Sequence, residues 1–186
     1  MLTAPTLSRI VVYPIKALDG VEVGEASMRS GGGLAGDREL AIFDATGRVV
    51  NGKRDARVHS LRASYALAAR ALSLGVDGLR SSQFHLDGDR ARLEAWLAEY
   101  FGFAVTLRHD DHRGFPDDPM YFGPTVVCTE TLAEVASWFP GLELDAVRQR
   151  FRANLELSGA VPFWEDRLIG EDSPVPFTIG DVRLDI

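Results

Sequence analysis

The stretch Arg150-Phe151-Arg152-Ala153-Asn154-Leu155-Glu156-Leu157-Ser158 decides how the C-terminal part of this chain is read. Asn154, Glu156 and Ser158 alternate with Leu155 and Leu157, a period of two that predicts a half-buried strand. Extended backwards, the same alternation places Arg150, Arg152 and Asn154 on one face. Arg forks onto carboxylate or phosphate, and Asn adds a donor and an acceptor, so this face suits an anion. Two readings stand side by side: an anion-reading strand, or a strand whose arginines pair with local acids.

Working outward, the 186 residues suffice for a sizeable core, as one large domain or two small ones. A net charge of −7 argues against a general nucleic-acid or anionic-membrane surface, because both need a basic face. No apolar run approaches the ~20 residues of a membrane span. Met1 to Ser8 carries no basic stretch ahead of an apolar one, so no secretory signal is expected. Cys128 stands alone, which excludes an internal disulfide framework and a Cys-rich metal site. These features predict a soluble, cytoplasmic protein.

The first 60 residues read as short strands. Leu7 to Tyr13 is apolar and β-branched until Pro14, and Val21-Glu22-Val23 opens a second alternating run. Leu40 to Phe43 and Arg48 to Val50 flank the turn Asp44-Ala45-Thr46-Gly47 and predict a hairpin. Ser64 to Val76 is rich in Ala, yet Leu72, Leu74 and Val76 alternate, and two strands are expected there. Two helices are clearer. Leu93, Trp96, Leu97, Tyr100 and Phe101 form one apolar stripe, with Asp89 to cap its start and Gly102 its end. Leu132, Val135, Ala136 and Phe139 repeat the spacing, with Thr131 and Glu134 as a capping box. His109 to Pro124 is polar and turn-rich and reads as a linker, giving domains at 1–108 and 109–186. Strands with few helices and no βαβ alternation predict a mainly β, α+β architecture of barrel type.

Several motifs carry candidate chemistry. Gly31-Gly32-Gly33-Leu34-Ala35-Gly36 fits G-x-G-x-x-G, with Asp55 at a distance suited to a ribose. The dinucleotide fold needs a helix to open at those glycines, whereas Glu39 to Phe43 continues as a strand. The glycines are therefore read as a flexible connection that delivers Asp37 and Arg38 to a particular place. His109-Asp110-Asp111-His112 with Asp117 and Asp118 holds metal-ligand types, but on no regular face, and reads as a solvated linker. Cys128 reads as a buried strand end. Its functional alternative is a thiol of lowered pKa at a helix start, where Thr129 and Thr131 also favour an anion. Glu165-Asp166 is read either as a solvated turn or as acids that orient Arg152. Lys16 is a cation at a strand break, of interest only with the Arg segment close in space.

In order along the chain, these segments resemble the MOSC family, the C-terminal domain of molybdenum cofactor sulfurases and its stand-alone relatives. Tyr13-Pro14-Ile15-Lys16 and Gly36-Asp37-Arg38 are similar to the signature of the family's N-terminal β-barrel domain. Asn51 to Val58 resembles a degraded form of the next motif, with Lys53 and Ala56 in place of Arg and Pro. Asp117-Asp118, Gly123-Pro124, Arg150 to Asn154, Phe163 to Asp166 and Ile179-Gly180-Asp181 continue the match. The resemblance implies a MOSC-type β-barrel with an N-terminal barrel-like subdomain and a few helices. It also implies a molybdenum cofactor, a molybdopterin whose phosphate and pterin are bound by Lys16, Arg38, Thr129, Arg152 and Asn154. The Ser that often follows the Lys is Ala17 here. The family's molybdenum-ligating Cys belongs to a segment beyond Ile179-Gly180-Asp181 that these residues do not include, and Cys128 does not match it.

The function implied is an oxidoreductase of N-oxygenated compounds or a sulfur carrier, acting on small molecules, with an electron-transfer protein as partner. The alternative is a non-catalytic phosphate- or pterin-binding module. Pyridoxal phosphate, proposed for sulfurase relatives, is the weakest reading, because no Lys stands in an evident Schiff-base setting.

Overall fold

Short β-branched runs broken by Pro, Gly and Asp leave this chain with many brief strands, and helices form only where apolar residues recur every third or fourth position. The computed structural model describes residues 5–118, 120, 123–170 and 175–184. The elements in order are β1 (Thr6–Val12), β2 (Val21–Val23), β3 (Leu40–Asp44), β4 (Leu61–Ala66), β5 (Ala71–Val76) and β6 (Ser82–His85). They continue with α1 (Arg90–Phe101), β7 (Val105–His109), β8 (Val126–Cys128), α2 (Thr129–Ser137) and α3 (Leu144–Phe151). β9 (Leu155–Ser158), β10 (Phe177–Ile179) and β11 (Val182–Leu184) complete the set. The class is mixed α+β and mainly β, as the sequence predicts. Among the described residues, no helix is long and apolar enough to cross a membrane.

Two compact units divide the chain. One comprises Val12–Val21 and Ser27–Phe122, the other Met1–Val11, Glu22–Ala26 and Gly123–Ile186. They interleave because β1 pairs with β9, far away in sequence, in the sheet order β2-β1-β9-β8.

In the first unit, β4, β5 and β6 form an antiparallel meander, and β3 pairs antiparallel with β7. Leu72 and Leu74 of β5 point into a core shared with Ile42, Leu61, Phe84 and Leu107, which α1 closes with Leu93, Leu97 and Phe101. α1 carries the predicted stripe, and Gly102 ends it in the left-handed region at φ 69. Asp89 occupies the cap position without a side-chain cap bond. Its carboxylate instead accepts from His85 N–H and the Arg92 guanidinium. The hairpin turn after β3 forms as expected. The Asp44 side chain gathers the N–H groups of Thr46 and Arg48 and the Thr46 hydroxyl. The hydroxyl of Thr46 leads these bonds in holding the Asp44 carboxyl far below the ordinary range.

The second unit corrects the reading of residues 150–154 as strand. Leu144, Val147 and Phe151 fall at i, i+3 and i+7, with Asp145 in the first turn and Arg148 and Arg150 in the last. This distribution complements the helix dipole, and the segment is α3. Arg150 belongs to that helix and donates back to Ala146 O. Arg152 ends the helix in the left-handed region, so the alternation runs only from Leu155. β9 lies between β1, antiparallel, and β8, parallel, and Leu155, Glu156 and Leu157 are all buried rather than alternately so. α2 is also corrected at its start. It begins at Thr129, two residues before the expected capping box, and Thr131 is buried inside its first turn.

Burying Glu156 mid-strand demands compensation. Arg148 of α3 supplies it with a two-pronged contact at 2.8 and 2.9 Å, Arg9 of β1 approaches to 3.3 Å, and the Thr129 hydroxyl donates at 2.8 Å. Burial alone pushes the carboxyl upward, but Arg148, Thr129 and Arg9 outweigh it and hold the group below the ordinary glutamate value. Because the folded-state pKa is depressed, this stabilisation is complete above the unfolded value of about 4.3 and is lost as pH falls through the folded one. Glu156→Gln should therefore destabilise the fold by about 2 kcal/mol near neutrality. Denaturant titration across pH should show the gap between variant and parent closing in acid.

Candidate functional site

The first unit assembles its candidate site around the break at Pro14. After Tyr13 the chain turns, Lys16 N–H donates to Leu40 O at 2.7 Å, and Ile15 bridges to Leu40. Gly36-Asp37-Arg38 arrives from the glycine-rich loop, in which Gly36 and Arg38 both hold positive φ, at 82° and 49°. Arg38 is a bulky residue in a region that disfavours it, so its surroundings must impose that conformation. The impositions are visible. Buried Asp37 accepts the Tyr13 N–H at 2.8 Å through one carboxylate oxygen and the Arg38 guanidinium at 2.6 Å through the other. The Arg38 N–H donates to Tyr13 O at 2.7 Å, and its guanidinium lies 5.5 Å from the Tyr13 ring centroid. The expectation that the glycine loop delivers Asp37 and Arg38 to a particular place holds.

Lys16 is buried close by, its side chain 11% exposed. Its ammonium donates to Pro116 O at 2.6 Å and pairs with Asp117 at 3.0 Å. Pro116 and Asp117 thus lie against Lys16, and Phe115 N–H binds Arg38 O at 2.8 Å. Glycine is required where this region meets the glycine loop, since a Cβ on Gly31 would stand 2.6 Å from His112 O. Among the described residues, no group of three or more His, Cys, Asp or Glu is placed to hold a metal.

In the second unit, Asn154 is 1% exposed and works as a clasp. Its amide nitrogen donates to Val11 O at 3.0 Å, while its amide oxygen accepts from Thr125 N–H and Oγ1, each at 3.2 Å. That geometry ties β9 to both neighbouring segments. Arg152 is half-buried and held as a left-handed cap, its N–H donating to Arg148 O. At the start of α2 the chain's own acids occupy the region read as favouring an anion. The Thr129 hydroxyl donates to Glu156, and Glu165 accepts from Cys128 N–H at 3.3 Å and from the Thr131 hydroxyl at 2.9 Å. Two carboxylates already complement the helix dipole there. Glu165 is thus a cap for α2 rather than a solvated turn.

Cys128 is fully buried at the end of β8. Burial, reinforced by the Glu165 carboxylate, pushes its thiol up to about 12, which overturns the alternative of a lowered pKa. The helix start does not activate it, because the carboxylate beside it opposes the dipole.

Lys16 and Arg38 therefore share one unit, while Thr129, Arg152 and Asn154 belong to the other. Sequence reasoning missed Arg29, whose Nη2 donates to Asp37 O at 2.6 Å while Nε and Nη1 are buried with no hydrogen-bond partner among the described residues. It also missed Arg148. The i, i+3 pair Asp145–Arg148 within an apolar spacing was the available signal for the latter. For Arg29 no local signal existed, since its partner is a backbone carbonyl presented by a turn.

Comparison with known proteins follows the same lines. Residues 4–111 match the family described as MOSC N-terminal beta barrel domain. Over 87% of its length the chain is 25% identical to a molybdenum cofactor sulfurase of Danio rerio. It spans only 25% of that relative's length.

The thiol geometry gives a direct check. In the folded protein at about pH 8, Cys128 should react with Ellman's reagent at least roughly a hundredfold more slowly than in denaturant. Rapid stoichiometric labelling of folded protein would contradict the buried, protonated thiol.

Proposed function

Because the chain belongs to the MOSC N-terminal beta barrel domain family through residues 4–111, we propose that it is a molybdenum-cofactor-binding protein whose own side chains hold the anionic end of the cofactor. The observation that carries this reading is the pairing, in one unit, of a buried ammonium at Lys16 with a guanidinium at Arg38 kept in a strained left-handed conformation. Strain of this kind persists where the surroundings over-determine it, and such positions cluster at binding sites. A phosphate suits this donor set, since Lys supplies a point charge and Arg a planar fork.

The residues divide by what they do in the fold. Lys16 and Arg38 are the proposed phosphate contacts, fixed through Leu40 O, Tyr13 O and Asp37. Arg152, in the other unit, is proposed on its own as an anion contact, carried by the resemblance of its segment to the family. Asn154 and Thr129, also proposed toward the cofactor by the resemblance, serve in the fold as the clasp on β9 and as the tie from α2 to Glu156. When bound, the molybdenum centre supplies oxygen-atom or sulfur-transfer chemistry. The chain's residues bind and orient the group and exclude water from its charged end.

The activity proposed is reduction of N-oxygenated small molecules, with electrons from a protein donor, or sulfur carriage. A second reading is favoured by Cys128: the single cysteine of these 186 residues is buried and protonated at neutral pH, so it offers no soft thiolate to the metal. On that reading the protein binds phosphate or pterin without catalysis.

Expression in a cofactor-producing host followed by molybdenum and pterin analysis tests both readings. The parent should retain pterin, and Lys16→Ala or Arg38→Ala should each lower retention at least roughly tenfold. Retention unchanged in both variants would show that the anion site lies elsewhere. Pterin without molybdenum would favour the non-catalytic reading, and near-stoichiometric molybdenum would sink it.

A further inference from the structure

Lys16 pairs with Asp117 and Arg38 with Asp37, but Arg29, which touches the same segment, has no carboxylate partner among the described residues. Its Nη2 donates to Asp37 O at 2.6 Å, while Nε and Nη1 are buried with no hydrogen-bond partner among those residues. A buried guanidinium in that state is costly, and an apolar side chain of similar length would fill the space without the cost. What an apolar side chain would lack is the bond to Asp37 O.

The backbone of Arg29 is fixed within its own loop. Its N–H donates to Gly33 O at 2.7 Å, its carbonyl accepts from Gly32 N–H at 2.9 Å, and Met28 bridges to Leu34. From that base the side chain reaches Asp37 O, and its guanidinium lies against Gly114, where a Cβ would stand 3.0 Å from Nη2 and 3.1 Å from Nη1. The same Cβ would stand 3.0 Å from Arg38 O, so the guanidinium, Gly114 and the Arg38 backbone meet at one point.

A peptide unit is planar and rigid, so holding both its polar ends fixes its orientation. In the Asp37–Arg38 peptide, Arg29 holds the carbonyl end and Tyr13 O holds the N–H end, at 2.7 Å. The following peptide is held at Arg38 O by Phe115 N–H, at 2.8 Å. With the planes on both sides of its Cα set, Arg38 has its φ of 49° imposed on it.

We propose that Arg29 is a positioning residue, whose bond to Asp37 O locks the Asp37–Arg38 peptide and so keeps Arg38 in the left-handed conformation from which it meets a phosphate-type anion. This rests on the reading of Arg38 as an anion contact. Arg29 does not itself touch the anion, since its Nε and Nη1 are sealed from solvent. It acts through Arg38.

The test combines isothermal titration with inorganic phosphate and amide hydrogen exchange on the 186-residue chain, for the parent, Arg29→Met and Arg29→Gln. Arg29→Met removes the donor, so the amides of Arg38 and Phe115 should exchange at least roughly tenfold faster while those of the β4–β5 pair are unchanged. Phosphate should bind this variant roughly tenfold more weakly. Arg29→Gln keeps a donor for Asp37 O without the charge, so affinity and protection should stay within roughly threefold of the parent. That variant carries the test if Arg29→Met fails to fold. Weaker phosphate binding with the Arg38 and Phe115 amides as protected as in the parent, in either variant, would assign Arg29 a role by charge alone and overturn the positioning role. Unchanged binding by Arg29→Met would overturn it as well. Phosphate binding that is absent from the parent, or unaffected by Lys16→Ala and Arg38→Ala, would instead remove the anion contact, with the exchange rates still deciding whether Arg29 holds Arg38.

Discussion

The carboxylate of Asp37 is the interaction on which the N-terminal site depends. One oxygen takes the Tyr13 N–H, released from strand pairing just before Pro14, and the other takes the Arg38 guanidinium. A buried carboxylate left unpaired would cost far more than a surface ion pair contributes, so the glycine loop must bring Arg38 back over Tyr13. The left-handed conformation of Arg38 is the consequence. Its neighbours follow from it: the Arg38 carbonyl receives Phe115 N–H, and that bond brings Pro116 and Asp117 to Lys16. One satisfied acid thus positions two cations and the segment that lies over one of them.

The same rule organises the C-terminal unit with the charges reversed in role. Glu156, buried in β9, draws in Arg148, Arg9 and Thr129 from three different elements. Glu165 does likewise at the head of α2, taking Cys128 N–H and the Thr131 hydroxyl. These acids show that Thr129 and Thr131, read from the sequence as favouring an anion, also fasten the fold. A Thr hydroxyl has one proton to donate, and at Thr129 it goes to a carboxylate.

Much of the framework was legible residue by residue. The β4–β5 alternation through Leu72 and Leu74, the α1 stripe ending at Gly102, and the Asp44 to Gly47 turn each depend on local period and turn chemistry, which a linear reading resolves. The segment from Leu144 to Ser158 shows the limit. Its last residues alternate truly, but the period of two was carried back across Arg152, where a left-handed residue separates helix from strand. Nothing in the residue type marks that break, because Gly or Asn would be the usual sign and Arg is not. The capping box at Thr131 failed for a related reason: Glu165, more than thirty positions away, caps the helix start in place of a local side chain.

By itself, then, the sequence determined the mixed, mainly β class and the periods of β4, β5 and α1, since these follow from local spacing and side-chain chemistry. Tertiary structure alone decided which partners the buried polar groups take. Asn154 clasps β9 to Val11 and Thr125, Cys128 loses its acidity to burial and a neighbouring carboxylate, and Lys16 acquires Asp117 from a hundred positions along the chain. The physical reason is that a buried polar group must be satisfied by whatever the fold brings within about 3 Å of it, and sequence distance carries no information about that neighbour.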